Sequence, residues 1–450
     1  MLFTNADLFK LIIPLVIEQF LNIFIGMSDS TMASFITEAA VSGISLVDSI
    51  NVLLIQVFSA LATGGAVISA QYLGRKDLLS ARSSAKQLYL CVLMAALVIM
   101  LAALCFRDQI IRVVFGRLED EVFQAAQIYF ITSAISYPFL GLYNAGVALF
   151  RSMGNSKISL FAALIMNLVN LAGNALVVYV LHWGVFGIAL FTLVARVAGA
   201  GLVTYLLLDK RNPIFLEEPF KIEFRPQIIK NILHIGIPSG FENSIFQIGK
   251  VMVASLISSF GTIGIEANAI ANLFSQLQTL PGSSIGLAML TVVGRCVGAN
   301  DDQQAARYAN KLMLFAVGGI VGLSLILYPC RELFYGLFNV SSETKGVVGT
   351  LILIHTLGVV TFWPWAFTLP SALRASNDVR FCMVASIACM WVFRLGASYV
   401  FSLDTIFGLP LGLGLGVAGV WLAMVLDWVA RAGFFVWRFK SGRWLQKKLI

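Results

Sequence analysis

Two stretches of this chain, 224 residues apart, spell the same entrance to a helix. Ile12-Ile13-Pro14 through Glu18 reads again as Gly236-Ile237-Pro238 through Glu242. The same offset carries Gly74 to Gly298, Ala81 to Ala305 and Ala85 to Ala309, and an offset of 223 carries Phe150-Arg151 to Leu373-Arg374. An offset held from the start of each half to its middle is the mark of an internal duplication. Chance similarity among Leu/Ile-rich segments does not produce matches at Pro, Glu and Gly. Whatever one half folds into, the other must also form.

The solvent for such a fold is set by polarity. Hydrophobic residues make up 59% of the chain and charged ones 12%, against about 25% charged in soluble domains. Mean hydropathy is +0.87. No single core can hide that much apolar sequence, so a bilayer is expected around it. The six cysteines fall in or beside apolar runs and form no CxxC pair, so they read as free, buried thiols. Met1 to Lys10 lacks a signal-peptide layout.

Runs of membrane-spanning length occur near residues 8–33, 44–72, 86–106, 123–150, 158–181 and 185–208, then near 231–259, 265–297, 309–330, 346–372, 380–403 and 410–438. Each is long enough to cross ~30 Å of hydrocarbon at about 1.5 Å per residue. Residues 209–230, with Asp209-Lys210-Arg211-Asn212-Pro213, Glu217 and Glu218, form the one extended polar stretch. The expected organisation is an N-terminal six-helix bundle over 1–208, a cytoplasmic linker over 209–230 and a C-terminal six-helix bundle over 231–450. If both termini and every second connection share one face, that face collects 23 Lys and Arg. The other keeps five: Arg107, Arg112, Arg117, Arg331 and Lys345. Positive loops stay cytoplasmic, which sets both termini inside. Basic residues sorted by loop also read as orientation signals, so the net charge of +8 does not imply nucleic acid. Six spans per half make the repeat parallel, with a pseudo-two-fold along the membrane normal and a substrate cavity expected on it. The fold class is thus an all-α polytopic membrane protein with twelve transmembrane helices in two parallel six-helix repeats.

Short motifs recur in a telling order. Pro14-Leu-Val-Ile-Glu18-Gln19 is followed by Gly26-Met27-Ser28-Asp29. Ala70-Gln71-Tyr72-Leu73-Gly74 comes with Ala81-Arg82, and Gly298-Ala-Asn-Asp301 comes with Ala305-Ala306-Arg307. Leu149-Phe-Arg151-Ser-Met-Gly154-Asn155 is answered by Leu373-Arg374-Ala-Ser-Asn377-Asp378. Over essentially its whole length the chain resembles the multidrug and toxic compound extrusion (MATE) family, in a NorM-like arrangement. That family lies within the multidrug/oligosaccharidyl-lipid/polysaccharide flippase superfamily. The resemblance implies a Na⁺- or H⁺-coupled antiporter that exports organic cations and drugs by alternating access. It also implies no cofactor, and sets the protein as a multi-pass one in a bacterial inner or plasma membrane.

Asp29 is the strongest candidate for chemistry. An acid inside an apolar helix costs ~2.5–3.5 kcal/mol on insertion scales, so it should face a cavity or partner. By the resemblance, Asp29, Asn170, Asn174 and Thr192 stand at the positions of the family's N-terminal cation site. Asn170 and Asn174 are four apart and share one helix face. One carboxylate with neutral oxygens suits a small hard cation, or a proton on the carboxyl group. Two departures are visible: Ile25 stands where the family often has Tyr, and Phe246 with Gln247 where NorM-like members carry Glu. A second cation site in the C-terminal half is therefore not expected.

Glu18 and Glu242 are equivalent repeat positions, each four residues after a Pro. With Asp29 they suggest an acidic cavity for lipophilic cations, walled by Met27, Phe246, Gln247 and Trp363, with Phe274 and Trp365 as further aromatic candidates. Lys250 and Arg394 are basic groups at membrane depth, expected to pair with Glu242 or with carbonyls, the alternative being contact with an anionic group. His355 is expected to be packed or hydrogen-bonded. Pro14, Pro138, Pro238, Pro281, Pro364 and Pro370 interrupt spans, and Gly64-Gly65, Gly318-Gly319 and Gly412 to Gly416 suggest close helix packing. An enzyme is not expected, because the three His are scattered with no catalytic cluster. A channel would need a pore-lining repeat about an axis. The closest alternative is a lipid-linked oligosaccharide or lipid flippase of the same superfamily. Partners are then small organic cations and membrane lipids, with the protein a monomer.

Overall fold

A computed structural model describes the chain apart from residues 1, 34–36, 117, 218–220, 222, 338–340, 406–409, 411, 448 and 450, and the side chains of 24–31, 33 and 337. The fold is all-α, with no strand among the described residues. The first six spanning helices are α1 (Asn5–Ala33), α2 (Glu38–Gly74), α3 (Leu78–Cys105), α4 (Asp120–Ser152), α5 (Ser156–Leu181, ending in a π-turn over Val177–Leu181) and α6 (Gly184–Leu207). The second six begin with α7 (Pro226–Ser258), α8 (Gly261–Gly298) and α9 (Asp302–Leu327). They end with α10 (Ser342–Thr361, continued by π-helix Pro364–Thr368 and α-helix Leu369–Ala375), α11 (Val379–Ser402, with π-helix Met390–Gly396 inside) and α12 (Gly416–Lys440). Ten of these are long and apolar enough to cross a bilayer by composition. The other two, α1 and α8's predecessor α7, have 29 and 33 residues. This is an all-α polytopic membrane fold.

The duplication extends to the backbone. Short helices Arg107–Phe115 and Arg331–Leu337 begin 224 residues apart. Asp77 caps α3 by accepting from Ser80 N at 3.0 Å, and Asp301 caps α9 by accepting from Gln304 N at 2.9 Å. These bonds hold both carboxyls below their usual range. Lys76 and Asn300 take φ of 64° and 56°, and Gly154 and Asn377 take 80° and 71°, so each pair of helix ends turns through the same left-handed residue. Helix packing repeats as well: α2 lies on α3 and α4, α4 on α6, and correspondingly α8 on α9 and α10, α10 on α12.

Contacts divide the chain into two lobes, Leu2–Gly240 and Phe241–Leu449. The 209–230 stretch is less of a free linker than its polarity suggests. Ile214, Phe215 and Leu216 are buried, Leu216 N donates to Leu207 O at 2.8 Å, and Arg82 lies over the Phe215 ring at 4.2 Å. Its last residues, from Pro226, already belong to α7.

Helices α1, α4, α7 and α8 continue through Pro14, Pro138, Pro238 and Pro281. The loss of one ladder bond at each Pro leaves these spans whole. The Gly reading divides. A Cβ on Gly64 would sit 2.5 Å from Ile232 O, so α2 and the start of α7 do approach closely there. Gly412 to Gly414 instead belong to a turn before α12, which starts at Gly416 rather than near 410. Gly414 has φ +63°, and a Cβ there would run into the Asp404 carboxylate.

Candidate functional site

The repeated Glu and the repeated Arg, visible separately in the sequence, meet in the fold. In the N-terminal lobe Arg151 Nη2 donates to Glu18 Oε1 in a very short ion pair. Ser159 Oγ donates to Glu18 Oε2 at 2.6 Å, and Arg151 Nε donates to Ser159 at 3.0 Å. In the C-terminal lobe Arg374 Nη2 reaches Glu242 Oε1 at 2.7 Å. Glu18 and Glu242 are 2% and 5% exposed. The side chains expected to meet substrate are thus each occupied by an arginine of their own lobe. Arg374, not Lys250 or Arg394, is the partner of Glu242.

The two pairs differ in one atom's fate. Glu242 Oε2 is buried with no hydrogen-bond partner among the described residues. The offset of 223 that relates Arg151 to Arg374 also relates Ser159 to Cys382. The Cys382 thiol points at Pro370 O, 3.9 Å away, and leaves the carboxylate oxygen unserved.

The neutral members of the expected cation site do come together. Asn174 Nδ2 donates to Asn170 Oδ1 at 3.1 Å, and Asn170 Nδ2 donates to Thr192 Oγ1 at 3.2 Å, which joins α5 to α6. Both Asn side chains are buried. Helix α1 runs through Met27 and Asp29, but their side chains lie outside the described residues.

A second acid of the N-terminal lobe was not singled out from sequence. Asp48 on α2 accepts from Asn51 Nδ2 at 3.1 Å and from Tyr129 OH on α4 at 3.2 Å. Asn51 Oδ1 accepts from Tyr137 OH at 3.1 Å, and Arg196 Nη1 on α6 donates to Ser136 Oγ at 2.5 Å nearby on α4. The signal was present: an Asp three residues before an Asn within an apolar span, the same argument that selects Asp29.

The C-terminal lobe holds a cavity of about 610 Å³. Phe246, Gln247 and Lys250 of α7 line it, with Asn268 and Asn272 of α8, His355, Trp363 and Phe367 of α10, Arg394 of α11, and Trp421 and Trp428 of α12. Phe246, Gln247 and Trp363 are therefore brought to one cavity wall. Phe274 is not: it is fully buried and packs edge-on against Phe334 at 5.3 Å in the core. Trp363 and Phe367 stack at 5.2 Å, the first just before and the second within the π-segment that opens at Pro364, while Arg394 sits in the π-segment of α11. A π-turn rotates side chains out of the α register, and such turns gather at functional sites. His355 Nδ1 is bonded to Gln278 Oε1 at 2.7 Å, and its ring packs edge-on against Trp421 and Trp428. Among the described residues no Asp or Glu lines this cavity. Behind it, fully buried Asp427 pairs with Arg431 at 2.8 Å, and its other oxygen lies 4.0 Å from Arg394. The wall is basic, where the sequence suggested an acidic one.

Comparisons agree with this architecture. The MatE family model matches residues 14–176 and 238–400, one match per repeat. The uncharacterized transporter YisQ of Bacillus subtilis is 25% identical over 98% of this chain and 95% of its own length. The probable multidrug resistance protein NorM of Thermotoga maritima is 23% identical over 99% and 94%. A MOP superfamily transporter from Pyrococcus furiosus shares the fold, with TM-score 0.86, 20% identity and coverage of 98% and 96%. Its binding pocket is described as having reverse polarity, suggesting a different function. With both repeats matched, the chain belongs to the MatE family, the MATE multidrug efflux transporters.

Proposed function

We propose that this protein exports small amphipathic organic molecules in antiport with Na⁺ or H⁺, by alternating access. Asp29, Asn170, Asn174 and Thr192 bind the coupling ion. The observation that carries this reading is the register of α1 on α5. Ser156 Oγ donates to Leu11 O at 2.7 Å, and Asn167 Nδ2 donates to Asn22 Oδ1 at 3.4 Å, eleven residues on along both helices. Seven residues further along each helix stand Asp29 and Asn174. A carboxylate at that level would meet the Asn170–Asn174–Thr192 chain, an all-oxygen donor set suited to a hard cation or a protonated carboxyl.

Phe246, Gln247 and Trp363 line the substrate cavity in this reading. Glu18 and Glu242 act through their arginines, holding α1 to α4 and α7 to α10 within each lobe. Both termini and the 209–230 stretch lie in the cytoplasm, and the protein works as a monomer of two six-helix bundles. A lipid-linked oligosaccharide flippase draws on the basic wall, but a cavity of about 610 Å³ fits one drug-sized molecule rather than a glycan. The test is export of a fluorescent organic ion from proteoliposomes, with a Na⁺ gradient and a pH gradient applied separately. Asp29→Asn should abolish gradient-driven export while the protein still inserts. Unchanged export in that variant moves the coupling site elsewhere.

A further inference from the structure

The 224-residue offset lets the two lobes be read against each other position by position. Glu18 keeps its acid as Glu242, but two other span acids of the N-terminal lobe lose their charge on the way. Asp29 becomes Val253 and Asp48 becomes Asn272, while Gly26 becomes Lys250. All three replacements line the C-terminal cavity. Duplication alone would give two like sites. Here negative charge has been removed at two positions and positive charge added at a third, all around one cavity.

The positive charge is not neutralised from within. Lys250 is exposed on the cavity wall and has neither a hydrogen bond nor an ion pair among the described residues. Among the described residues the one acid near Arg394 is Asp427, whose far oxygen is 4.0 Å away; its guanidinium lies 5.7 Å from the Phe246 ring centroid and its Nε has no acceptor. Asp427 is already committed to Arg431 at 2.8 Å. One carboxylate thus serves Arg394 and Arg431, and Lys250 has none among the described residues, which leaves two positive charges in excess. An unpaired cation at membrane depth is costly and points to a ligand. Part of the wall is aromatic: Trp363 stacks on Phe367, and Phe367 meets Phe246 and Trp428 edge-on; neutral polar side chains such as Gln247, Asn268 and Asn272 line the remainder.

We infer that the C-terminal cavity binds an amphipathic organic anion. Lys250 and Arg394 hold its carboxylate, sulfonate or phosphate, and the aromatic wall holds its ring system. This deepens the export reading and rests on it: the N-terminal lobe takes the coupling cation and the C-terminal lobe takes an anionic cargo. The two ligands then differ in sign and in lobe.

The probe pair is 1-naphthalenesulfonate and 1-naphthyltrimethylammonium, alike in ring and opposite in charge. Binding to the full-length protein in phosphatidylcholine nanodiscs is read by quenching of tryptophan fluorescence, since Trp363, Trp421 and Trp428 line the site. The sulfonate should bind more tightly than the ammonium. Lys250→Gln should weaken the sulfonate at least about tenfold, the scale of one charge-assisted hydrogen bond, and Lys250→Arg should restore most of it. Lys250 makes no hydrogen bond or ion pair among the described residues that its loss would break, and Arg394→Gln serves as the second variant. Tighter binding of the ammonium, or sulfonate affinity unmoved by Lys250→Gln, overturns the inference. Sulfonate binding lost when phosphatidylglycerol replaces phosphatidylcholine makes the occupant a lipid headgroup and overturns the soluble cargo. Export under a gradient is scored separately. Lys250-dependent sulfonate binding without any export supports the site and refutes the transporter reading. Export of the ammonium with no sulfonate binding does the reverse.

Discussion

Replacing Arg151 or Arg374 by Met should destabilise the protein severely, and replacing each arginine together with its glutamate should not. The side chains of Glu18 and Arg151 are 3% and 18% exposed, and those of Glu242 and Arg374 are 7% and 20% exposed. Removing one partner of such a buried pair costs about 3–5 kcal/mol, because the other charge is left without compensation. Replacing both by apolar residues of similar volume is close to neutral. At roughly 2–4 °C per kcal/mol for lobes of this size, each single variant should lower the apparent melting temperature by roughly 6–20 °C. The two lobes should differ. Arg151→Met leaves Glu18 with the Ser159 hydroxyl, whereas Arg374→Met leaves Glu242 with no donor among the described residues. Arg374→Met is therefore the more damaging. The assay is a double-mutant cycle in detergent at one fixed scan rate, since unfolding of such a protein is read as a rate. The reasoning is refuted if the single variants shift the transition by less than about 3 °C, or if the double variants equal the sum of the singles.

Cys382→Ser should raise the stability of the C-terminal lobe by about 1 kcal/mol, by giving Glu242 Oε2 the hydroxyl that Ser159 gives Glu18. No gain in melting temperature would show that Cys382 is not the counterpart of Ser159. Asp48→Ala removes the acceptor used by Tyr129 OH and Asn51 Nδ2 and should cost about 1–3 kcal/mol. Asp48→Asn, which keeps an acceptor, should stay within about 1 kcal/mol of the parent, and equal losses from both would remove the hydrogen-bond account. Gly64→Ala drives a methyl to 2.5 Å from Ile232 O and should cost about 1–3 kcal/mol. Normal melting of that variant would mean the helices part freely.

Much of the fold was legible because duplication and hydropathy are one-dimensional signals. The twelve spans, the repeat offset and the fold class came from them. Boundaries were less legible: the spans placed near 86 and 309 begin at Leu78 and Asp302, behind the caps Asp77 and Asp301, because polar first turns hide a helix start from hydropathy, and the glycine run before α12 reads equally as helix or loop. The site was harder. Glu18 and Arg151 are 133 residues apart, so their pairing belongs to packing and not to any local pattern. Phe274 and Trp363 are both aromatic residues in apolar spans, and only helix rotation sends one to the core and the other to the cavity. Asp48 carried the same signal as Asp29 but matched no quoted motif. The polarity of the cavity escaped because Glu18 and Glu242 dominated the charge argument, and their neutralisation by Arg151 and Arg374 is a fact of the fold.

The central claim is that cargo and ion move in opposite directions through one protein, with Asp29 as the ion's anchor. The direct measurement is ion flux driven by cargo. Proteoliposomes are loaded with a transported naphthalene probe and diluted into probe-free buffer. Uptake of ²²Na⁺ or of protons is then followed in the parent protein and in Asp29→Asn. The account predicts that outward movement of the probe draws one of the two ions inward in the parent, and that Asp29→Asn loses this ion flux. Outward probe movement with no ion uptake, or ion uptake undiminished in Asp29→Asn, would contradict it.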